Sequence, residues 1–254
     1  MLLKLIACNV FQREVCWCLS QSPHVIDVEF TEVGQHVRSE ALRALIQTAI
    51  DAAETGGKAY DAILLLFGLC GNTTIGLHAR KTRLVIPRAH DCATILLGSR
   101  AQFEKHFKDA PSTPFSSAGY FERGEFFLRV ADGISTVQYG NSYAALVDHY
   151  GEEKARYVWE ALHPPALQSE TDRAVFIELP QTAALGHAAK FREKAEAEGK
   201  QYTCLQGDIR LIRNLLFGQW DTEEYLIVPP GHKTLGVYDW SEIIRAEPRN
   251  EKKE

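Results

Sequence analysis

The feature that most constrains the fold is the continuous apolar segment "YDAILLLFGLCG", residues 60–71. Its residues do not alternate between apolar and polar, as they would in a strand with one side facing solvent. A short, unbroken apolar run that ends in glycines is typical of a strand buried on both faces of a parallel sheet. Such a strand needs helices above and below it, so the sequence predicts an α/β protein.

The segments around this run alternate between strand and helix patterns. Strand-like runs occur in "LLKLIACNV", "HVIDVEFTE" and "TRLVIPR", and the helical period is clearest in "HVRSEALRALIQTAIDAAE". Strand–helix–strand repeats of this kind predict a doubly wound parallel sheet. A similar alternation resumes after residue 172, so the chain is compatible with two related lobes that flank a cleft.

Composition shifts divide the chain into four parts. Residues 1–110 are predicted to form a first α/β lobe, and residues 173–240 a second one. Between them, residues 111–172 are predicted to be an inserted cap or linker of helical and irregular structure, because "APSTPFSSAGYF" is rich in Pro, Ser and Gly. Residues 241–254 are predicted to form a charged tail.

Charge and apolar runs exclude some classes of function. The 254-residue chain has a formal net charge of −5 and no basic stripe, so nucleic acid is not an expected partner. Its apolar runs are too short to cross a bilayer. Arg13 and Glu14 interrupt the N-terminal run, which is interpreted as a first strand, Leu2 to Ala7, rather than a signal peptide. A soluble cytoplasmic protein is therefore expected.

The cysteines carry the strongest signal for a functional site. Without a secretion signal, the six thiols are not expected to form disulfides. Cys8, Cys70 and Cys92 each follow a predicted strand. Because the carboxyl ends of parallel strands lie along one edge of a sheet, these three residues are expected to meet. A single buried cysteine is a common small core residue, but three at equivalent positions indicate a shared site.

The residues around Cys92 and Cys70 suggest what that site does. Thiolate and imidazole groups suit zinc or an iron–sulfur cluster, so Cys8, Cys70, Cys92 and His90 are the predicted metal ligands. His90 and Asp91 are also the candidate catalytic residues, Asp91 as an acceptor that orients an imidazole N–H.

Substrate binding is predicted beside this site. Arg88 can bind an anionic group, because a guanidinium matches a carboxylate or phosphate. The backbone around Gly71 and Asn72 can cradle an anion with its N–H groups. Cys16 and Cys18 are interpreted as packing residues, and Cys204 as a weak candidate in the second lobe.

Four motifs resemble an uncharacterised family of domains of unknown function. They are "LIACNVFQREV", "FGLCGN", "LVIPRAHDCATILLGSR" and "YLIVPPG", and the GLCG and PRxHDC patterns are their most specific parts. The family is associated with methanogens and other anaerobes, often beside genes for corrinoid-dependent methyltransferases. The resemblance implies a role in methyl, thiol or corrinoid-linked one-carbon chemistry. It also implies that the site residues are motif positions: Cys8, Cys70, Arg88, His90, Asp91 and Cys92. The His-x-Cys pattern is similar in chemistry, though not in fold, to the zinc site of thiol methyltransferases.

Three hypotheses follow. The first is a metal-dependent enzyme of transferase or lyase type, which uses zinc or a [4Fe–4S] cluster to act on an anionic small molecule. The second is a non-catalytic protein that binds a metal or cofactor for a methyltransferase system, with a corrinoid or methyltransferase partner. The third is a thiol enzyme with Cys92 as nucleophile, although the adjacent His90 is awkwardly placed to act as its base.

Overall fold

The structure is a computed structural model that describes residues 1–32, 39–70, 72–109, 113–123, 152, 173–237 and 242–249. The strands are β1 (Leu2–Cys8), β2 (Val25–Thr31), β3 (Ala62–Leu66), β4 (His78–Ala79), β5 (Leu84–Pro87), β6 (Phe115–Ser116), β7 (Arg173–Glu178), β8 (Gln201–Gln206), β9 (Tyr225–Val228), β10 (His232–Gly236) and β11 (Ile244–Pro248). The α-helices are α1 (Gln12–Leu19), α2 (Ser39–Thr55), α3 (Cys92–Leu97), α4 (Arg100–Phe107), α5 (Ala118–Arg123), α6 (His187–Ala197) and α7 (Arg210–Leu216). Short 3-10 turns cover Asn9–Phe11 and Ala183–Leu185.

A five-stranded sheet forms the centre of the molecule, with strand order β2-β1-β3-β5-β9. Strands β2, β1, β3 and β5 run parallel, and β9 pairs antiparallel with β5 at one edge. All five residues of β3 are buried, as the apolar segment predicted. The prediction of an α/β protein with a largely parallel central sheet is therefore confirmed.

Two smaller sheets accompany the central one. Strands β6, β7 and β8 form a parallel sheet, while β11, β10 and β4 form an antiparallel one. Strand β6 lies within the segment that was predicted to be a cap or linker, 111–172. Strand β9 lies within the predicted second lobe, 173–240, but pairs with the central sheet. Residues 111–112, 124–151 and 153–172 of the predicted insertion lie outside the described residues.

The helices bury the faces that their sequence period predicts. Helix α2 buries one face, which contains Leu42, Ile46, Ala49, Ile50 and Ala53 at the spacing of successive helical turns. Every residue of the short helix α3 is buried, and α3 is capped by Asp91 at its start and by the left-handed Gly98 at its end. Among the described residues, no helix is both long and apolar enough to cross a membrane.

A candidate thiol cluster at the carboxyl edge of the central sheet

Three cysteines lie where the parallel strands of the central sheet end. Cys8 is the last residue of β1, Cys70 follows β3 by four residues, and Cys92 begins α3 after β5. The Sγ atoms of Cys70 and Cys92 are 3.8 Å apart. Cys8 lies close enough to Cys92 for the two thiols to interact electrostatically. The structure thus brings together the three thiols that are separated by up to 84 positions in the sequence.

Backbone contacts between the two loops hold Cys70 beside Cys92. The Leu69 and Cys70 N–H groups donate to the carbonyls of Ala89 and His90, at 2.9 and 3.1 Å. Gly68 makes this approach possible, because a Cβ at that position would lie 2.6 Å from the Cα of Asp91. The pairing between β3 and β5 therefore continues into the loops as far as the thiols.

The backbone at Cys70 adopts a conformation that is unusual for its residue type. Cys70 has a φ of +41° and Asn72 a φ of +70°, both in the left-handed region. A non-glycine residue there costs about 1–2 kcal/mol, and such residues cluster at ligand and active sites. Thr73 helps to hold the turn, since its hydroxyl donates to the Cys70 carbonyl at 2.7 Å. The turn holds the Cys70 thiol in position at the expense of backbone strain.

The three thiols are buried or half-buried, and those of Cys8 and Cys70 favour their protonated form. Cys8 is 0 % exposed and Cys92 is 1 % exposed, while Cys70 is half-buried. Burial, with a smaller contribution from Cys92, raises the pKa of Cys8. The hydrogen bond with Cys92 and burial raise the pKa of Cys70 well above its usual value. A cation that binds here must therefore displace protons from these two thiols.

Tyr120 is the residue of the site that sequence reasoning missed. It belongs to α5, and its pKa is raised by burial and by the neighbouring thiols of Cys92, Cys8 and Cys70. A hydrogen bond joins its phenol to Cys92. Helix α5 reaches the cluster because Gly119 packs directly on the backbone after β1, where a Cβ would lie 1.7 Å from the Val10 carbonyl oxygen.

Asp91 and His90 have local packing roles in this structure. The Asp91 carboxylate caps α3 by accepting from the Thr94 N–H at 3.0 Å, and burial raises its pKa to about 6. The His90 ring stacks on Phe103 of α4, with ring centroids 5.5 Å apart. Their predicted catalytic roles, and His90 as a fourth metal ligand, stay predictions.

The residues predicted to bind an anion make the following contacts, and that role stays a prediction. The guanidinium of Arg88 donates to the carbonyls of Thr222, Glu242 and Ile244, which tie β5 to the β9 and β11 segments. The Asn72 carbonyl accepts from Arg43 of α2 at 3.0 Å. Gly71 lies outside the described residues. Cys204, the weak candidate, is exposed on β8.

The cysteine sulfurs of this cluster are chemically suitable ligands for a metal that binds thiolates. Two sulfurs bound to one tetrahedral zinc ion at about 2.3 Å stand roughly 3.8 Å apart, which matches the Cys70–Cys92 separation. The same distance also suits two neutral thiols in contact. Within the described part of the chain, no group of three or more His, Cys, Asp or Glu side chains is arranged to hold a metal ion. Cys8 would therefore have to turn toward the pair to complete a three-sulfur site.

Comparison with known proteins gives one match. The sequence model of a family described as "Protein of unknown function (DUF1638)" matches residues 30–216, well over half of the chain. That segment includes Cys70, Cys92 and Tyr120 but begins after Cys8. No curated protein and no solved structure matches the chain.

Proposed function

The chain belongs to the DUF1638 family, and we propose that it is a metal-dependent enzyme acting on an anionic small molecule, with Cys8, Cys70 and Cys92 as the metal ligands. The observation that carries the proposal is the 3.8 Å contact between the Cys70 and Cys92 sulfurs at the edge where β1 also delivers Cys8. A single buried thiol would be an ordinary core residue, whereas a strained turn that brings one thiol to another suggests a shared ligand.

The geometry favours zinc over the other predicted cofactor, a [4Fe–4S] cluster. In a four-iron cluster each cysteine binds a different iron, so the cysteine sulfurs stand further apart than in a mononuclear site. The contact between Cys70 and Cys92 instead suits two ligands of one ion. An iron–sulfur cluster is the alternative outcome of the experiment below.

Each residue of the site has a separate task in this proposal. Cys70, Cys92 and Cys8 bind the metal as thiolates, and Cys8 turns toward the other two. Tyr120 donates its phenol hydrogen to the Cys92 sulfur, which stabilises the negative charge of the thiolate. Asp91 fixes the start of α3 and so the position of Cys92. A zinc ion with one open position supplies a Lewis acid, or lowers the pKa of a thiol or water that it binds.

The finer aspects of the prediction belong to the same proposal. The motif resemblance supports methyl, thiol or corrinoid-linked one-carbon chemistry of transferase or lyase type, a cytoplasmic location in anaerobes such as methanogens, and a corrinoid or methyltransferase partner protein. The separate parallel sheet of β6, β7 and β8 supports two α/β lobes. His90, which lies next but one to Cys92, is proposed as a fourth, exchangeable ligand that leaves its stack on Phe103 when the metal binds.

Burial of the thiols favours a second candidate function, a non-catalytic accessory protein that binds a metal or cofactor. Cys8 and Cys92 are almost fully buried, as in a closed structural site. An enzyme needs a coordination position that exchanges with solvent. Addition of a small exogenous thiol to protein loaded with cobalt(II) in place of zinc distinguishes the two. A change in the metal's absorption spectrum indicates an open position, and an unchanged spectrum indicates the accessory role.

Elemental analysis tests the proposal. The protein is purified both aerobically and anaerobically under reducing conditions, together with the Cys92→Ser variant and the matched Cys204→Ser variant. We expect about one zinc ion per chain in the wild type and in Cys204→Ser, and little in Cys92→Ser. Iron with a broad visible absorption band would select the cluster instead. Neither metal in either preparation would refute a metal-dependent function.

A further inference from the structure

A cleft of about 490 Å³ opens beside α5, lined by residues of this helix that follow Tyr120 in the sequence. It lies between α1, α5 and the turn that follows β7. Its lining combines charged and amide side chains, which we call the floor, with apolar side chains, which we call the margin, and it also includes the Cys16 thiol and the Thr182 hydroxyl. The floor and margin residues include Gln12, Arg13, Trp17, Glu122, Arg123 and Leu185. The roles assigned above leave this cleft unused.

The floor of the cleft has a surplus of positive charge. Glu122 accepts from Nε of Arg13 at 2.8 Å, and its Oε2 lies 3.8 Å from Nη1 of Arg123. One carboxylate therefore faces two guanidinium groups, which leaves a net charge of about +1. Glu14, which is fully buried beside them, is about half ionised at neutral pH because burial raises its pKa to about 7, so it reduces this surplus without cancelling it. Such a floor favours an anion.

The margin of the cleft is apolar and exposed. Trp17 is 51 % exposed and Leu185 is 37 % exposed. Among the described residues, only five large apolar side chains are this exposed, and two of them line the same cleft. An exposed aromatic side chain beside a charged floor is typical of a site for a ligand with both apolar and polar parts.

Helix α5 connects this cleft to the thiol cluster. Glu122 and Arg123 line the cleft, while Gly119 and Tyr120 of the same helix contact the backbone after β1 and the Cys92 thiol. The Arg123 guanidinium donates to the Gly119 carbonyl and to Gln12 Oε1, at 3.3 and 2.6 Å. Gln12 begins α1, four residues after Cys8 at the end of β1. A group bound to Arg123 would therefore lie close to the turn that follows Cys8.

We propose that this cleft binds the substrate of the thiol cluster, and that the substrate joins a carboxylate, phosphate or sulfonate group to an apolar group. The anionic end binds Arg123 rather than Arg88, and the apolar part packs on Trp17 and Leu185. The proposal that the cleft binds such a molecule depends on the cleft alone. The proposal that this molecule is a substrate also rests on the proposed function of the thiols.

The probe for the first test is 8-anilinonaphthalene-1-sulfonate, a fluorescent anion with an apolar body. We expect saturable binding of one probe per chain, weakened about tenfold by Trp17→Ala and about tenfold by Arg123→Gln, from the loss of an aromatic contact or of a charge-assisted hydrogen bond. Leu45→Ala and Arg192→Gln, which change an exposed apolar residue and an exposed arginine elsewhere, are the matched controls. Equal binding by Trp17→Ala, Arg123→Gln and the wild type would overturn the site.

The second test asks whether the cleft serves the thiols. Probe is added to protein loaded with cobalt(II), and the sulfur-to-cobalt absorption band is followed. A shift in the wild type that is lost in Trp17→Ala supports the substrate role, and a band that stays unchanged at saturating probe overturns it. Probe binding by Cys92→Ser separates the proposed metal site from the proposed binding cleft. If this variant takes up no metal but still binds the probe, the cleft is a binding site whether or not the thiols hold a metal. Trp17 lies on an exposed face, so its variant remains informative if Arg123→Gln fails to fold.

Discussion

The molecule contains two parallel sheet edges that the same topology creates and that differ in chemistry. The carboxyl edge of β1, β3 and β5 carries three thiols under the cover of α5. The carboxyl edge of β7 and β8 opens on a polar cleft of about 620 Å³, and the one thiol near it, Cys204, is exposed. Parallel pairing therefore brings strand ends together at both edges, but only the covered edge concentrates groups of one kind in a buried place. The predictions below test whether that difference is functional.

The largest effect is expected from the thiols. Replacement of Cys70 or Cys92 by serine removes one of three sulfur ligands, so zinc affinity should fall roughly 100-fold or more, beyond the range seen for loss of an outer-sphere partner. The measurement is competition for zinc with a chromogenic chelator under reducing conditions. Cys204→Ser, at the uncovered edge, should bind zinc as the wild type does. Equal zinc affinity in the wild type and in all three variants would show that the two sheet edges do not differ in metal binding.

The packing of α5 over the thiols is expected to be sensitive to one added methyl group. Gly119→Ala would place a Cβ 1.7 Å from the Val10 carbonyl oxygen, so α5 must move away from the turn after β1. We expect a loss of about 3 kcal/mol or more in the free energy of unfolding, measured by urea denaturation. Gly57→Ala, with a φ of +82° and open space around the new Cβ, is the control and should lose only about 1 kcal/mol. Comparable losses in both would show that α5 does not press on this turn.

Glu14, which is buried in α1 beneath the cleft, should make stability depend on pH. Burial raises the pKa of Glu14 from 4.5 to about 7. A carboxyl group with a higher pKa in the folded chain favours folding at low pH, and this advantage is lost as the pH rises from 4.5 through 7. Glu14→Gln should therefore stabilise the protein by about 3 kcal/mol at pH 8 and by little at pH 4.5.

Urea denaturation at several pH values measures this effect. Glu122→Gln is the contrasting variant, because the Arg13 hydrogen bond lowers the pKa of Glu122 to about 2. Loss of the Glu122 negative charge in this variant should lower the free energy of unfolding at pH 8. A constant difference between Glu14→Gln and the wild type across the range would contradict an ionisable buried Glu14.

Arg88 should prove structural. Its guanidinium donates to three carbonyls of other segments, so Arg88→Gln should cost about 2 kcal/mol in unfolding free energy. Because these contacts are separate from the thiols and from the cleft on α5, we expect zinc and probe affinities to stay within about twofold of the wild type. Weaker probe binding with unchanged stability would restore the substrate-binding role that the sequence suggested.

Local patterns in the sequence were sufficient to predict the central sheet. The unbroken apolar run of β3 and the helical period of α2 identify a parallel α/β sheet, and the positions of Cys8, Cys70 and Cys92 after strands then follow from topology. The direction of β9 was not predictable in the same way. A four-residue apolar strand has the same sequence pattern whether its partner is parallel or antiparallel. The antiparallel pairing of β9 with β5 therefore depends on the whole fold.

The positions of the three thiols after strands were predictable from the sequence, whereas the packing of α5 over them was not. Tyr120 lies in a segment rich in Ser, Pro and Gly, and its approach to Cys92 and Cys8 depends on a close backbone contact between Gly119 and Val10, more than 100 positions apart in the chain. Arg88 shows the opposite limit. An arginine beside a cysteine motif suggests an anion, but only the folded chain shows that three carbonyls accept from its Nε and Nη1 groups.

X-ray absorption at the zinc edge, on protein loaded with one equivalent of zinc, tests the shared thiol site most directly because it counts the atoms around the metal. We expect a first shell of three sulfur atoms at about 2.3 Å and one nitrogen or oxygen atom. The Cys204→Ser protein should give the same shell. A shell of nitrogen and oxygen atoms alone in the wild-type protein would contradict the claim that Cys8, Cys70 and Cys92 bind one metal ion.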